Sequence, residues 1–567
     1  MRLKHPATAA ICAAILLYLP PYIVAWRNTG QSLLAPLVSD HTYFYILSST
    51  LHVTDGFAEN PWYKISFPEH DNPYRRYGGA GMLFRALQAV EPRLSPLLTV
   101  AIWNAFWAAL TAAVVARLFC ARQGAKPIEI ALAVAIVICI SFPHLILALG
   151  SIRSGSTPNL SLPFIRMFYP QTIAPIATAY VLASIDAMRR PAAWVSMALF
   201  QTMAMVTFPY AVIILAATTA LVAVFSKRMP ATLLLFAVVC ALIDTIILMS
   251  AGSPNLGAGG VSVLAFNPHW PNRFQLALSV LCGFATLLVL RLEEDRVVRD
   301  VLCAFGTASA VIPAIADTFV SKSVEASIHL YYLSNLAIAI LVGWSAMILA
   351  TRRITASISL LVVMACGIYA SARDAIGPLA VNRELGDVVR WSSATHLSNR
   401  DLVIAPSEAD DTPASYLPLL GSPNVLFYYY GEYFVPADDP SEQWERLSLY
   451  LHLKGETAET VRKALHGPDL VSSTHSFMVG HRWLRLIEDK RTHDRALSVV
   501  EAQLVPRMRL LDEQPQHTRE WFRRFARIFL IEDVSRPTFS RAGLGEFCQV
   551  ISSYRIGSLQ VWEAIPR

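Results

Sequence analysis

Charge is scarce in this chain of 567 residues: Asp, Glu, Lys and Arg make up 16% of it, against 54% hydrophobic residues and a mean hydropathy of +0.44. The chain is too apolar for a soluble enzyme and too long for a single membrane anchor, so it reads as a polytopic membrane protein. The eight cysteines form no CxxC pair, and all but Cys548 lie in or at the ends of apolar runs, which excludes a disulfide framework and a thiolate metal site. No nucleotide-binding glycine loop occurs; Gly543-Leu544-Gly545 is too short to cradle a phosphate. Ionisable residues are nearly missing from the middles of the apolar runs, Asp244 apart, and no internal repeat is evident. Both features weigh against a transporter or flippase, which needs buried charges and repeated broken helices.

Membrane-length apolar windows are plentiful. They fall near 7–26, 96–119, 128–149, 172–188, 192–207, 209–226, 231–250, 273–290, 299–317, 329–350 and 355–372, about eleven spans. The first follows Arg2 and Lys4 without a small-residue cleavage site, so it reads as a retained helix. With a cytoplasmic N-terminus, the short connections holding Arg117, Arg122 and Lys126, Arg189 and Arg190, Lys227 and Arg228, Arg291, Arg296 and Arg299, and Arg352 and Arg353 all fall on the cytoplasmic side. This topology accounts for the formal net charge of +6 without nucleic acid. The long connections, 27–95, 151–171 and 251–272, fall on the opposite side, with 318–328. There His269 and Trp270 read as an interfacial anchor.

From Arg373 the membrane-length runs stop. Residues 373–567 read as a separate α/β domain, with helices at 383–396, 441–453 and 458–466 and strands at 402–405, 424–430, 528–532 and 555–562. The expected architecture is therefore a polytopic α-helical membrane domain, 1–372, and an extracytoplasmic α/β domain, 373–567.

The first external connection, 27–95, carries the densest chemistry. Ser39-Asp40 is a helix-start signal, and Tyr43, Phe44, Leu47 and Leu51 share one helical face, predicting an amphipathic helix on the membrane surface that stops at Asp55-Gly56. Beyond Pro61-Trp62-Tyr63 come Glu69, His70, Asp71, Tyr74, Arg75 and Arg76, acids and bases together beside a lipid phase. Asp40 can be a plain helix cap or a general base whose proton affinity is raised by desolvation, and the two roles can coexist. Glu69, His70 and Asp71 offer metal ligands, although adjacent side chains in an extended loop point apart; whether a divalent metal, Mg or Mn, is held stays open. Arg75 and Arg76 either rest among lipid phosphates or grip a donor phosphate. Arg166, with Arg153 behind it, is a positive charge on the side where such charges are few, suited to a phosphate or to snorkelling. Lys322, Glu325 and His329 share a helical face at the outer end of the tenth span, as a substrate contact or a structural ion pair.

An acid just after the first span, an amphipathic external connection, many spans and an external C-terminal domain together resemble the GT-C superfamily of integral-membrane glycosyltransferases. The runs SDHTYFYILSSTLHVTDG, NPWY, PEHDNPY, RMFYPQ, EASIH and SEQWERLSLYLHLKG look like an uncharacterised bacterial branch of it. The resemblance implies a multi-pass protein of the bacterial inner membrane. Its active site faces the periplasm, and a sugar passes there, with inversion, from a polyprenyl-phosphate donor to a lipid, glycan or protein acceptor; a nucleotide-sugar donor fits less well, because the long connections face away from the cytoplasm. It assigns Asp40 as catalytic acid-base, with Glu69 or Asp71 as a second carboxylate; where many members pair two acids, His41 follows Asp40 here. The arginines and Lys322 would hold the donor phosphate, and His70, Tyr74, Glu325 and His329 the substrate. The alternatives are a transporter of a lipid-linked substrate and a non-catalytic glycan-binding assembly protein.

Overall fold

The structure, a computed structural model, describes residues 4–29, 53–54, 57–60, 62–64, 66–68, 96–140, 142, 145, 168–190, 193–208, 210–226, 231–250, 273–319, 325–350, 353–381, 383–407, 414, 417–418, 423–428, 441–466 and 490–567. The described residues are mostly helical, and among them are four helices long and apolar enough to cross a membrane and a small C-terminal sheet.

Each apolar window of the sequence coincides with a helix. They are α1 Lys4–Thr29, α2 Pro96–Phe119, α3 Pro127–Cys139, α4 Phe168–Arg189, α5 Trp194–Thr207, α6 Tyr210–Ser226, α7 Ala231–Ser250, α8 Arg273–Leu292, α9 Arg296–Phe319, α10 Glu325–Leu349 and α11 Arg353–Val381. The four that meet the length and hydropathy of a membrane span are in α2, α8, α9 and α10. Large apolar side chains also point outward, among them Leu276, Val280, Phe284 and Leu287 on α8 and Ile354, Ile358 and Leu361 on α11. Such faces suit lipid as the surrounding solvent.

Three backbone details follow from proline and glycine. The window 128–149 is not one helix: α3 ends at Cys139, and Ile140 is extended at φ −106 and ψ 116. Pro143 has no N–H to give back to the carbonyl of Cys139, and the N–H of Phe142 goes instead to Oδ1 of Asn335 on α10, at 3.1 Å. Pro313 inside α9 likewise leaves the Ser309 carbonyl without its helical donor. The Ser334 hydroxyl on α10 donates to it at 2.7 Å. Gly306 on α9 lets three helices close up, since a Cβ there would run into Thr286 of α8 and Leu341 of α10. After α5, Phe208 leaves helical geometry at φ −152 and ψ 81, and 192–226 holds two helices.

The helix α11 runs past Arg373 to Val381, and one residue later α12, Arg383–Thr395, begins. The helices α13 Ser441–Leu453, α14 Ala458–Leu465, α15 Lys490–Glu513, α16 Pro515–Phe522 and α17 Arg541–Phe547 follow. They surround a five-stranded sheet of β4 Asp401–Ile404, β5 Asn424–Val425, β6 Arg527–Asp533, β7 Cys548–Ile556 and β8 Leu559–Pro566, in the order β5-β4-β6-β8-β7. The strands β5, β4 and β6 are parallel, and β8 and β7 add antiparallel. Leu402 to Ile404 and Ile528 to Ile531 are buried throughout, as parallel strands covered on both faces require. Asp401 lies opposite Arg527 in the register. Two parallel bonds of 2.9 and 2.8 Å join them and pin the alignment of β4 on β6.

Two expectations need correction here. The run 555–562 is not one strand but the meeting of β7 and β8, because Gly557 takes φ +60 and reverses the chain. Buried Asp387 of α12 holds that turn, accepting from the N–H and hydroxyl of Ser558 at 2.6 Å each, and it also pairs with Arg390. The second correction concerns the first connection. Val53–Thr54 and Phe57–Glu59 are paired antiparallel strands, β1 and β2, where the end of a helix was expected, and Ser66–Pro68 adds as β3. β-branched residues before Asp-Gly and an aromatic after it are a hairpin pattern, which outweighs the helical spacing here. The earlier part of the expected amphipathic helix lies outside the described residues.

Two outcomes follow. Gly557→Ala forces an L-residue into a left-handed turn against the Asp387 carboxylate, and is expected to destabilise the α/β domain by about 2 kcal/mol in denaturant melts of the full chain. Burial pushes the Asp401 carboxyl up, but the hydrogen bonds from Arg527 and Ser398 outweigh it and hold the pKa below its ordinary 3.8. The stability this supplies is complete above 3.8 and is lost as pH falls through the lower folded value. Arg527→Gln is therefore expected to melt more easily at neutral pH and to show a shallower loss on acidification.

Candidate functional site

The ends of the helical domain differ in chemistry. At one end the helix termini are tied together by ion pairs and caps. Glu293, just past α8 and 7% exposed, accepts from the Trp344 indole of α10 at 2.6 Å, with Arg122 at 4.0 Å. Asp295 caps α9 through the N–H groups of Val297 and Val298 and pairs with Arg189 at 2.5 Å. This end carries the basic connections, and its acids neutralise part of that charge.

The other end is where α11 leads into the α/β domain. The starts of α8 and α10 meet there, with the Phe274 and Tyr331 rings 6.1 Å apart. Chain direction then places the starts of α2 and α4 and the last turn of α9 at this end, because their other termini hold Arg122, Arg189 and Asp295. Gln171 and Thr172 of α4, Gln275 of α8 and Asp317 of α9 lie within about a turn and a half of these termini, and Asn104 lies deeper on α2. All five are buried at 3% exposure or less, and none of them lacks a partner. The helices that carry them pack in sequence: α2 on α4, α4 on α9 and α9 on α8. Burying amides and a carboxylate in helices of this apolarity costs several kcal/mol each unless they are bonded, so such a cluster marks a place built for polar contact.

The same end receives the first connection. The Asn60 side chain accepts from the N–H groups of Trp62 and Tyr63 at 3.0 Å each, and its carbonyl accepts from Lys64, which takes φ +54. The folded turn aims Trp62 and Tyr63 into the core of the α/β domain, where both are buried. The Trp62 carbonyl accepts from the N–H of Val425 at 2.8 Å, covering the outer edge of β5. The Tyr63 hydroxyl donates to the Tyr428 carbonyl at 2.9 Å, and the Trp62 and Tyr428 rings lie 4.9 Å apart.

One guanidinium joins these parts. Arg446 of α13 is fully buried; it donates to Glu442 at 2.8 Å, to the carbonyl of Val425 at 2.8 Å and to that of Tyr63 at 3.3 Å. It also lies 4.7 Å from the Tyr63 ring centre and 5.3 Å from that of Trp521. Burial lowers the Arg446 pKa, opposed by the Glu442 charge. For Glu442, burial raises the pKa, but Arg446 and Arg524 outweigh it and the net shift is downward.

The candidate residues Asp40, Glu69, His70, Asp71, Tyr74, Arg75, Arg76, Arg153, Arg166 and Lys322 lie outside the described residues, so their mutual geometry is not fixed here. Glu325 and His329 fall in the first turns of α10, at the same end as the buried polar cluster, with their side chains outside the description. Among the described residues no group of three His, Cys, Asp or Glu side chains can hold a metal ion. Residues that the sequence reasoning passed over include Asp317, the last residue of an apolar window and five positions before Lys322, and Gln171 beside Arg166. Trp62, Tyr63 and Arg446 were also missed as a unit, since nothing in the sequence relates positions so far apart.

The described residues form a mostly helical protein with helices long and apolar enough to cross a membrane and a small C-terminal sheet. No protein-family model matches the chain, and no curated protein matches it.

Removing Arg446 leaves Glu442 with Arg524 alone and strips two carbonyls of a buried donor. Arg446→Ala is expected to cost about 3 kcal/mol, read as a lower denaturation midpoint of the full chain. Arg446→Lys is expected to recover only part of this, because the three donors of an ammonium radiate from one atom, whereas the acceptors here are set around three separate guanidinium nitrogens.

Proposed function

We propose that this chain is a membrane glycosyltransferase of GT-C type. It moves a sugar from a polyprenyl-phosphate donor to a lipid, glycan or protein acceptor at the end of the helical domain that carries the α/β domain. In this proposal the eleven helices α1 to α11 all span a bacterial inner membrane, the N-terminus is cytoplasmic and the α/β domain is periplasmic. The observation that carries it is the cluster of Asn104, Gln171, Thr172, Gln275 and Asp317. These are buried polar side chains on packed apolar helices, four of them close to the helix termini at the end that leads into the α/β domain. A lipid-linked sugar offers its polar group at that depth, and a carboxylate among membrane helices is a functional candidate by default.

The chemistry proposed is a single displacement. A carboxylate of the first connection, Asp40 in this assignment with Glu69 or Asp71 as its partner, takes the proton of the acceptor hydroxyl. The acceptor oxygen bonds to the anomeric carbon from the face opposite the phosphate, inverting it, and the carbon–oxygen bond to the donor breaks. Polyprenyl phosphate departs with the electron pair. Arginines 75, 76, 153 and 166 and Lys322 are assigned to its charge, which needs electrostatic stabilisation more than an acid. His70, Tyr74, Glu325 and His329 are assigned to the substrate. A divalent metal at Glu69, His70 and Asp71 would add to the same stabilisation, and no step here is routed through one.

Polar residues at mid-depth support an enzyme over a transporter. The hydroxyls of Thr178, Thr218, Thr219 and Thr286 each donate to the carbonyl one turn back, which satisfies them within their own helices.

The test is transfer from a panel of polyprenyl-phosphate sugars by the purified protein in lipid, with Asp40→Asn and Asp317→Asn compared at matched thermal stability. Transfer by the parent that falls about a hundredfold or more in Asp40→Asn is the expected result; equal transfer removes Asp40 from the mechanism. Substrate translocation without transfer would establish the transporter instead.

A further inference from the structure

We propose that the α/β domain acts as a positioning device for the first connection, through Trp62, Tyr63 and Arg446; this rests on the glycosyltransferase assignment above. The described part of the connection has strands of only two or three residues. A sheet that small has no stability of its own in water. Its fixed point is the Asn60–Lys64 turn, whose two aromatic side chains complete the core of a domain that begins more than three hundred residues later. Domain packing of the ordinary kind is broad and tolerant. This contact is narrow, and main-chain groups dominate it: Trp62 supplies a carbonyl to the edge of β5, and Tyr63 both donates to and accepts from Tyr428.

Arg446 ties the contact to the domain core. Glu442 and the Val425 carbonyl hold its charge from within the α/β domain, and the Tyr63 carbonyl and ring complete its surroundings from the first connection, so undocking takes a buried acceptor away from the guanidinium. The strand that leaves the turn, Ser66–Pro68, runs directly into Glu69. Docking therefore holds the strand that immediately precedes the acidic stretch in the sequence. Trp62, Tyr63 and Arg446 are positioning residues, since none of them is assigned contact with the reacting atoms.

The test uses the full chain in lipid, with Trp62→Ala, Trp62→Phe and Tyr63→Phe, reading amide exchange and the steady-state constants of transfer. Trp62→Ala is expected to speed exchange at Tyr63, Lys64 and Val425 while the amides of β4 and β6 keep their protection. It is expected to lower kcat by about a hundredfold with little change in donor KM. Trp62→Phe, which retains a ring against Tyr428, is expected to restore most of both, and Tyr63→Phe to fall between. Faster exchange with kcat at the parent value overturns the positioning role and leaves the glycosyltransferase assignment standing. So does unchanged exchange, which would show that the turn stays docked without the indole. A parent that transfers from no donor in the panel overturns both.

Discussion

A single buried guanidinium decides whether this chain has two loosely joined parts or one working body. Arg446 carries a full charge into a place without water, and the acceptors that make this tolerable come from its own helix α13, from the nearby edge of β5 and, 383 residues away, from the turn after Asn60. Each alone would be a weak association. Bound to a common charge they become mutually dependent, because losing any one leaves the others with an unmet electrostatic cost.

The constraint extends to the membrane domain. With α11 running into α12 and α12 holding the β7–β8 turn through Asp387, the α/β domain is fixed covalently on one side. The turn at Asn60 fixes it on the other side through the first connection. Between these attachments lies the end of the helices where Asn104, Gln171, Gln275 and Asp317 are buried. The opposite end, closed by Glu293, Trp344 and the Arg189–Asp295 pair, is built for permanence.

The helices were legible because a run of apolar residues of membrane length has few other fates. Within the α/β domain the helix at 441–453 was read to the residue, since its apolar spacing has a period that strands cannot share. The helices α15 and α16 were not read: Pro506 and Pro515 break the pattern of that stretch, and its burial is decided by neighbours. The β7–β8 hairpin was misread as one strand because only Gly557 and its φ distinguish them. Of the candidate site, the sequence singled out residues by charge in unusual places, which is how it came to propose Glu325 and passed over buried Asp317, whose neighbours made it look like an ordinary helix end. The Trp62–Tyr63–Arg446 contact was beyond reach, because local spacing carries no information about a partner 383 residues away.

That separation has a consequence in time. A ribosome adds about 5 to 20 residues per second, so roughly 20 to 80 s pass between the synthesis of Tyr63 and that of Arg446. Within that interval the helices from α2 to α11 are made while Trp62 and Tyr63 have no core to enter. During biogenesis the two aromatics are thus a nascent-chain liability that lipid or a holding factor must cover, and the last domain to emerge is the one that relieves it.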